Sequence, residues 1–85
     1  MLIEIYSDPG HAWAKVSTIV LIQLGIQDKI SGCSYLGDYG QTAYLEEDCD
    51  LGVFMNAMKT LDKEVKFKEI NSNYDSFIRR LPRYK

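Results

Sequence analysis

Hydrophobic and polar residues alternate over Leu2–Tyr6, with Ile3 and Ile5 on one side and Leu2, Glu4 and Tyr6 on the other. That period of two predicts a strand. Ser7-Asp8-Pro9-Gly10 follows as a turn, in which Pro9 presets φ and Gly10 is expected to supply a positive φ. His11–Val16 returns as a second strand carrying Trp13. Over Ser17–Leu24 the β-branched Thr18, Ile19, Val20 and Ile22 favour a strand, whereas Ser17 as N-cap and Gly25 as stop favour a two-turn helix. The well-placed stop decides for helix.

Lys29–Leu45 predicts a hairpin that turns at Asp38-Tyr39-Gly40, with Tyr35, Tyr39 and Tyr44 as aromatic strand surface. The clearest helix is Asp50–Leu61, where Leu51, Phe54, Met55, Met58 and Leu61 fall within about 120° of a helical wheel. Its Leu51, Phe54, Met58 and Leu61 are expected to be buried, and Asp48 or Asp50 is placed to cap its start. Glu64–Ile70 sets Glu64, Lys66 and Lys68 against Val65 and Phe67, as in a half-exposed strand. Tyr74, Phe77, Ile78 and Leu81 share one face of a short helix ended by Pro82, with Arg79, Arg80 and Arg83 opposite. The order is β-β-α-β-β-α-β with a terminal helical turn. The expected fold is one α+β domain over residues 1–85: an antiparallel sheet of four to five strands with helices on one face.

With 85 residues there is one core, and a 46% hydrophobic, 26% charged composition excludes wholesale disorder. The longest aliphatic run, Ile19–Ile22, is far short of the roughly 20 residues that span a bilayer. No basic residue precedes Lys15, so no secretory signal is expected and no membrane partner. Two cysteines are too few for a disulfide scaffold and suggest a reducing, cytoplasmic setting. The net charge of −2 conceals an asymmetry: residues 1–62 carry three basic side chains against nine acidic, residues 63–85 seven against three. Such polarity serves the fold, a partner or self-association, and composition does not choose among them.

Four groups of residues are candidates for chemistry or contact. His11, the only histidine, lies two residues before the only tryptophan, Trp13. As a general base it needs Asp8 to orient its imidazole; the simpler reading has Asp8 bonding its own turn while His11 and Trp13 join a contact patch. Cys33 and Cys49 are expected to be buried, reduced and unreactive, because Glu46, Glu47, Asp48 and Asp50 oppose a thiolate at Cys49 and too few ligands accompany them for zinc. The Glu46-Glu47-Asp48-Cys49-Asp50 run lacks the ligand spacing and glycine of a calcium loop, so it reads as a solvated helix N-terminus or a contact surface for a basic partner. Arg79, Arg80, Arg83 and Lys85 form a basic surface that suits phosphates or docks on the acidic run. No nucleic-acid motif and no Gly-rich phosphate loop accompanies it, so nucleic acid is disfavoured. No cofactor or metal is expected.

Ser7-Asp8-Pro9-Gly10-His11-Ala12-Trp13 with Val16, then Leu24-Gly25-Ile26, then Tyr44-Leu45-Glu46-Glu47-Asp48-Cys49-Asp50, resembles a group of small, largely uncharacterised proteins from bacteriophages and mobile elements. The similarity covers about three-quarters of the chain and is least definite after Leu61. It transfers no catalytic residue. It implies an accessory protein of the bacterial cytoplasm, a class that often acts by binding a host or defence protein. The expected function is thus non-enzymatic inhibition or modulation of such a protein through Asp8, His11, Trp13, Glu46, Glu47, Asp48 and Asp50. The alternatives are a small cysteine- or histidine-dependent enzyme and a nucleic-acid-associated regulator using the carboxy-terminal arginines. A two-fold homodimer through the Glu64–Ile70 strand is a further expectation.

Overall fold

The computed structural model describes residues 1–85. The chain forms β1 (Leu2–Ser7), β2 (Ala12–Ser17), α1 (Thr18–Gln23), β3 (Tyr35–Gly37), β4 (Thr42–Glu46), α2 (Leu51–Thr60) and β5 (Lys66–Asn71), with 3-10 turns at Gln27–Lys29, Asp38–Gly40 and Phe77–Arg80. The five strands make one sheet in the order β3-β4-β2-β1-β5. This is an α+β fold, in the expected order of elements. The sheet is mixed, however, not antiparallel: β5 runs parallel to β1, from Leu2 opposite Lys66 to Ser7 opposite Asn71. A parallel neighbour requires a crossover. The chain from β4 through α2 supplies it, carrying β5 past β2 and β1 to the far edge.

The period of two gives the sheet two unlike faces. Ile3, Ala14, Val16, Ala43 and Leu45 point to one side, where Leu21 of α1 and Phe54 and Met58 of α2 close the main core with Ile26 and Ile30. Tyr6, Trp13, Tyr35 and Tyr44 point to the other, which Ile78 and Leu81 cover. The aromatic rings there meet edge to face: Tyr6 with Tyr44 at 6.0 Å, Trp13 with Tyr35 at 6.2 Å, and Phe77 with both Tyr6 and Tyr44 at 5.8 Å. The carboxy-terminal segment is therefore a cover for the second face. The regular helix expected there is a single 3-10 turn. Beyond it the chain extends along β3, donating Tyr84 N–H to Ser34 O and accepting from Leu36 N–H at Pro82 O, each at 2.8 Å. Pro82 bars helical continuation, and an extended chain meets the bonding groups at the β3 edge.

Several local expectations change for physical reasons. Leu61 is 55% exposed, because it lies past the last turn of α2, where Asp62 at φ 55° bends the chain away. Phe54 and Met58 are buried as expected, and Leu51 is half-buried. Tyr39 contributes no strand surface: it sits in the turn at φ 55° with its ring in solvent. Gly25, at φ 70°, ends α1 as its position predicts, whereas the Ser17 hydroxyl makes no cap bond. No helix is long and apolar enough to cross a membrane.

Candidate functional site

The β1–β2 turn and the end of β4 meet at one corner of the sheet, because the register sets Trp13 opposite Glu46 and Tyr6 opposite Trp13. Asp8 organises this corner. Its Oδ1 accepts from the N–H groups of Gly10 and His11, both at 3.0 Å, which closes the turn. Its Oδ2 accepts from Ser76 N–H at 2.9 Å, and Arg79 grips both oxygens, Nε to Oδ2 at 2.6 Å and Nη2 to Oδ1 at 2.9 Å. The Asp8 carboxyl is buried, and the Arg79 bond outweighs desolvation to hold it far below the usual carboxylate range, helped by the three backbone donors. Asp8 thus bonds its own turn, as the simpler reading expected, and it makes no bond to the imidazole that the general-base reading would need. Gly10 has no positive φ either. A side chain there would bring a Cβ within 2.9 Å of Arg79 Nη2, so any larger residue would push the guanidinium that grips Asp8.

The partner of His11 is Glu46. His11 Nδ1 donates to Glu46 Oε1 at 3.2 Å, and Asp48 N–H donates to Glu46 Oε2 at 2.8 Å. Glu46 is buried, yet the His11 side chain remains 48% exposed. Arg79 lies over the Trp13 ring at 5.4 Å and Arg83 over the Tyr35 ring at 4.8 Å. These residues, with Cys33 and Asp48, line an open concavity of about 320 Å³. Its floor is aromatic. Its rim sets Arg79 and Arg83 against Glu46 and Asp48.

Behind the rim lies a third buried carboxylate, Asp50. It accepts from Ser31 N–H at 3.0 Å, Ser31 Oγ at 2.9 Å and Ser34 Oγ at 2.5 Å, while Ser34 Oγ accepts from Glu46 N–H at 3.1 Å. Asp50 occupies the N-cap position of α2, yet its side chain bonds the Ser31–Ser34 loop and leaves the helix uncapped by a side chain. The acidic run is therefore not one solvated group: Glu46 and Asp50 are buried and bonded, whereas Glu47 and Asp48 are exposed. Glu46, Glu47 and Asp48 come near enough for a shared cation. Both Glu46 oxygens already have donors within the chain, and Glu47 and Asp48 are exposed, as acidic surface groups commonly are.

The cysteines depart furthest from expectation. Cys33 and Cys49 are free, as expected, but both are exposed, because each lies in a polar loop held by Ser31 and Asp50 rather than on a core-facing element. A hydrogen bond to Cys33 is the largest influence raising the Cys49 thiol above its usual value, opposed by one from Ser31; burial and the Asp50 charge add to the rise.

Of the candidate contact residues, His11, Glu47 and Asp48 are open to solvent, while Asp8, Trp13, Glu46 and Asp50 are buried beneath them. Of the basic surface, Arg79 is taken by Asp8, Arg83 Nη1 donates to Gly32 O at 2.9 Å, and Lys85 Nζ donates to Asp28 O at 3.3 Å. Within the chain the arginines make no ion pair with the acidic run; Asp8 in the turn receives Arg79. Sequence reasoning missed Ser31, Ser34 and Ser76, which have no local signature and matter through partners far along the chain, and it read Tyr35 only as strand surface. Comparison with protein-family models, with curated proteins and with solved structures finds no match.

Proposed function

We propose that the protein acts by protein–protein contact, as a phage or mobile-element accessory protein that binds and inhibits or modulates a bacterial host or defence protein in the cytoplasm. The contact surface is the corner where the Asp8–Trp13 turn meets the Glu46–Asp50 segment. One observation carries the reading: solvent-facing His11 and Asp48 and the two ring-stacked arginines surround an aromatic-floored concavity. Such a surface presents polar groups on a rigid base, which suits recognition by shape and charge. The buried bonds of Asp8 and Asp50 support it by fixing both loops. A His11→Ala, Asp48→Lys double variant and a Lys66→Glu, Lys68→Glu variant of the distant β5 edge, each tagged and purified from infected cells, test the assignment. The first should lose a partner that the wild type and the second both retain. Loss by the β5 variant alone would move the surface to that edge.

A second reading, a cysteine- or histidine-dependent enzyme, draws on a different observation. Glu46 holds Nδ1 of a half-exposed His11 ring, and Cys33 borders the same concavity. Loss of function in His11→Ala with partner binding intact would favour it.

A further inference from the structure

Cys33 and Cys49 lie 16 positions apart in sequence, and the fold brings the two residues together around one serine. Ser31 is the link: its Oγ accepts from Cys33 N–H at 3.1 Å and lies 3.4 Å from Cys49 Sγ. The two loops are also tied directly on either side of the thiols. Asp50, next to Cys49, accepts from Ser31 and Ser34, which flank Cys33. Both sulfurs are exposed to a soluble reagent. We propose that Cys33 and Cys49 are a thiol pair that closes reversibly into an intramolecular disulfide, with a small-molecule disulfide as the oxidant.

The chemistry is two successive exchanges. Cys33, as thiolate, attacks one sulfur of the small disulfide, forming a mixed disulfide and releasing one small thiolate. Cys49 then gives up its proton to that thiolate and attacks the Cys33 sulfur, expelling the second small thiolate, which takes a proton from water. The protein loses two electrons and two protons, and the small disulfide is reduced to two thiols. Cys33 attacks first because Cys49 Sγ donates to the Asp50 carboxylate at 3.9 Å, beside a negative charge that opposes its thiolate. The serine–Asp50 bonds already hold the two loops together, so the second step is intramolecular between prepositioned groups. Cys33 borders the concavity, but the pairing does not rest on the proposed contact function.

The test is equilibration of the reduced protein in glutathione buffers of varied redox ratio, followed by acid quenching, alkylation and intact-mass measurement. The expected product is a monomer lighter by two hydrogens, restored by excess thiol, with a thermal midpoint raised by roughly 10–20 °C through closure of the loop. Cys49→Ser should accumulate a single glutathione adduct on Cys33, and Cys33→Ser should form its adduct on Cys49 more slowly. Two stable glutathione adducts on the wild type, disulfide-linked dimers, or two alkylated thiols in the most oxidising buffer would each overturn the pairing. Faster capture by Cys49 than by Cys33 would overturn the order of attack.

Discussion

Asp8 and Arg79, 71 positions apart, form a two-pronged ion pair whose carboxylate is buried and whose guanidinium lies over Trp13. The pair locks the carboxy-terminal cover onto the sheet at the β1–β2 turn. A carboxylate that takes five hydrogen bonds in a buried site cannot be replaced by a small apolar group without stranding those donors. Asp8→Ala should therefore destabilise the domain by roughly 3–5 kcal/mol in urea denaturation. A loss under about 1 kcal/mol would mean that the turn and the cover are held by other contacts.

The same pair predicts acid sensitivity. The Arg79 bond above all, opposed by burial and aided by the backbone donors, depresses the Asp8 pKa in the folded state. A depressed carboxylate pKa stabilises the fold above the unfolded value of about 4, and that stabilisation is lost as pH falls below it. Between pH 7 and pH 2.5 the wild-type thermal midpoint should fall more steeply than that of Asp8→Asn, which has no proton to take up there. The two curves should approach each other at the acid end. Parallel curves would show that other carboxylates govern the acid response.

Core truncations separate the two faces from the helix end. Phe54 is fully buried beneath the sheet and Trp13 is 2% exposed on the opposite face, so Phe54→Ala and Trp13→Ala should each cost about 3–5 kcal/mol. Leu61→Ala, at the exposed end of α2, should stay within about 0.5 kcal/mol of wild type. Ser34→Ala tests the buried polar bonds that tie the Ser31–Ser34 loop to Asp50. It removes a donor from Asp50 and an acceptor from Glu46 N–H, both buried, and should cost roughly 2–3 kcal/mol despite the loss of one oxygen. Urea titration of the four variants reads all of these.

What the sequence made legible is what local periodicity encodes. Alternation marked β1, turn chemistry with β-forming residues marked β2 and the β3–β4 hairpin, and the 3.6-residue spacing marked Phe54 and Met58 on α2. The parallel placement of β5 was not legible, since pairing partners are chosen by the crossover and not by the strand itself. Asp8 and Asp50 were read as turn and cap residues because aspartate bonds nearby backbone by default. Asp8 does so, but its strongest bond goes to Arg79; Asp50 bonds serines 16 and 19 positions away. Cys33 and Cys49 were misread as buried because cysteine usually is, whereas here both sit in polar loops held by Ser31 and Asp50. Residue type predicts an average environment. The contacts that override it are made by segments that meet only in the folded chain.

Those contacts also determine which charges are available to a partner. Glu46 and Asp50 are engaged internally, leaving Glu47 and Asp48 as the acidic groups that face solvent beside His11. Reversing both to lysine should change stability by no more than about 1 kcal/mol, since neither side chain is buried and only the dipole of α2 is opposed. If the corner receives a basic surface of a host protein, the same change should slow association several-fold at low salt and reverse its salt dependence, because long-range charge acts mainly on encounter. His11→Ala should act differently. Its ring touches Trp13 and Glu46 at short range, so its removal should raise the dissociation rate and leave the salt dependence as it was. Surface plasmon resonance with the captured partner at several salt concentrations distinguishes the two effects. Unchanged association in the charge-reversed protein, together with an unchanged dissociation rate in His11→Ala, would exclude this corner as the interface.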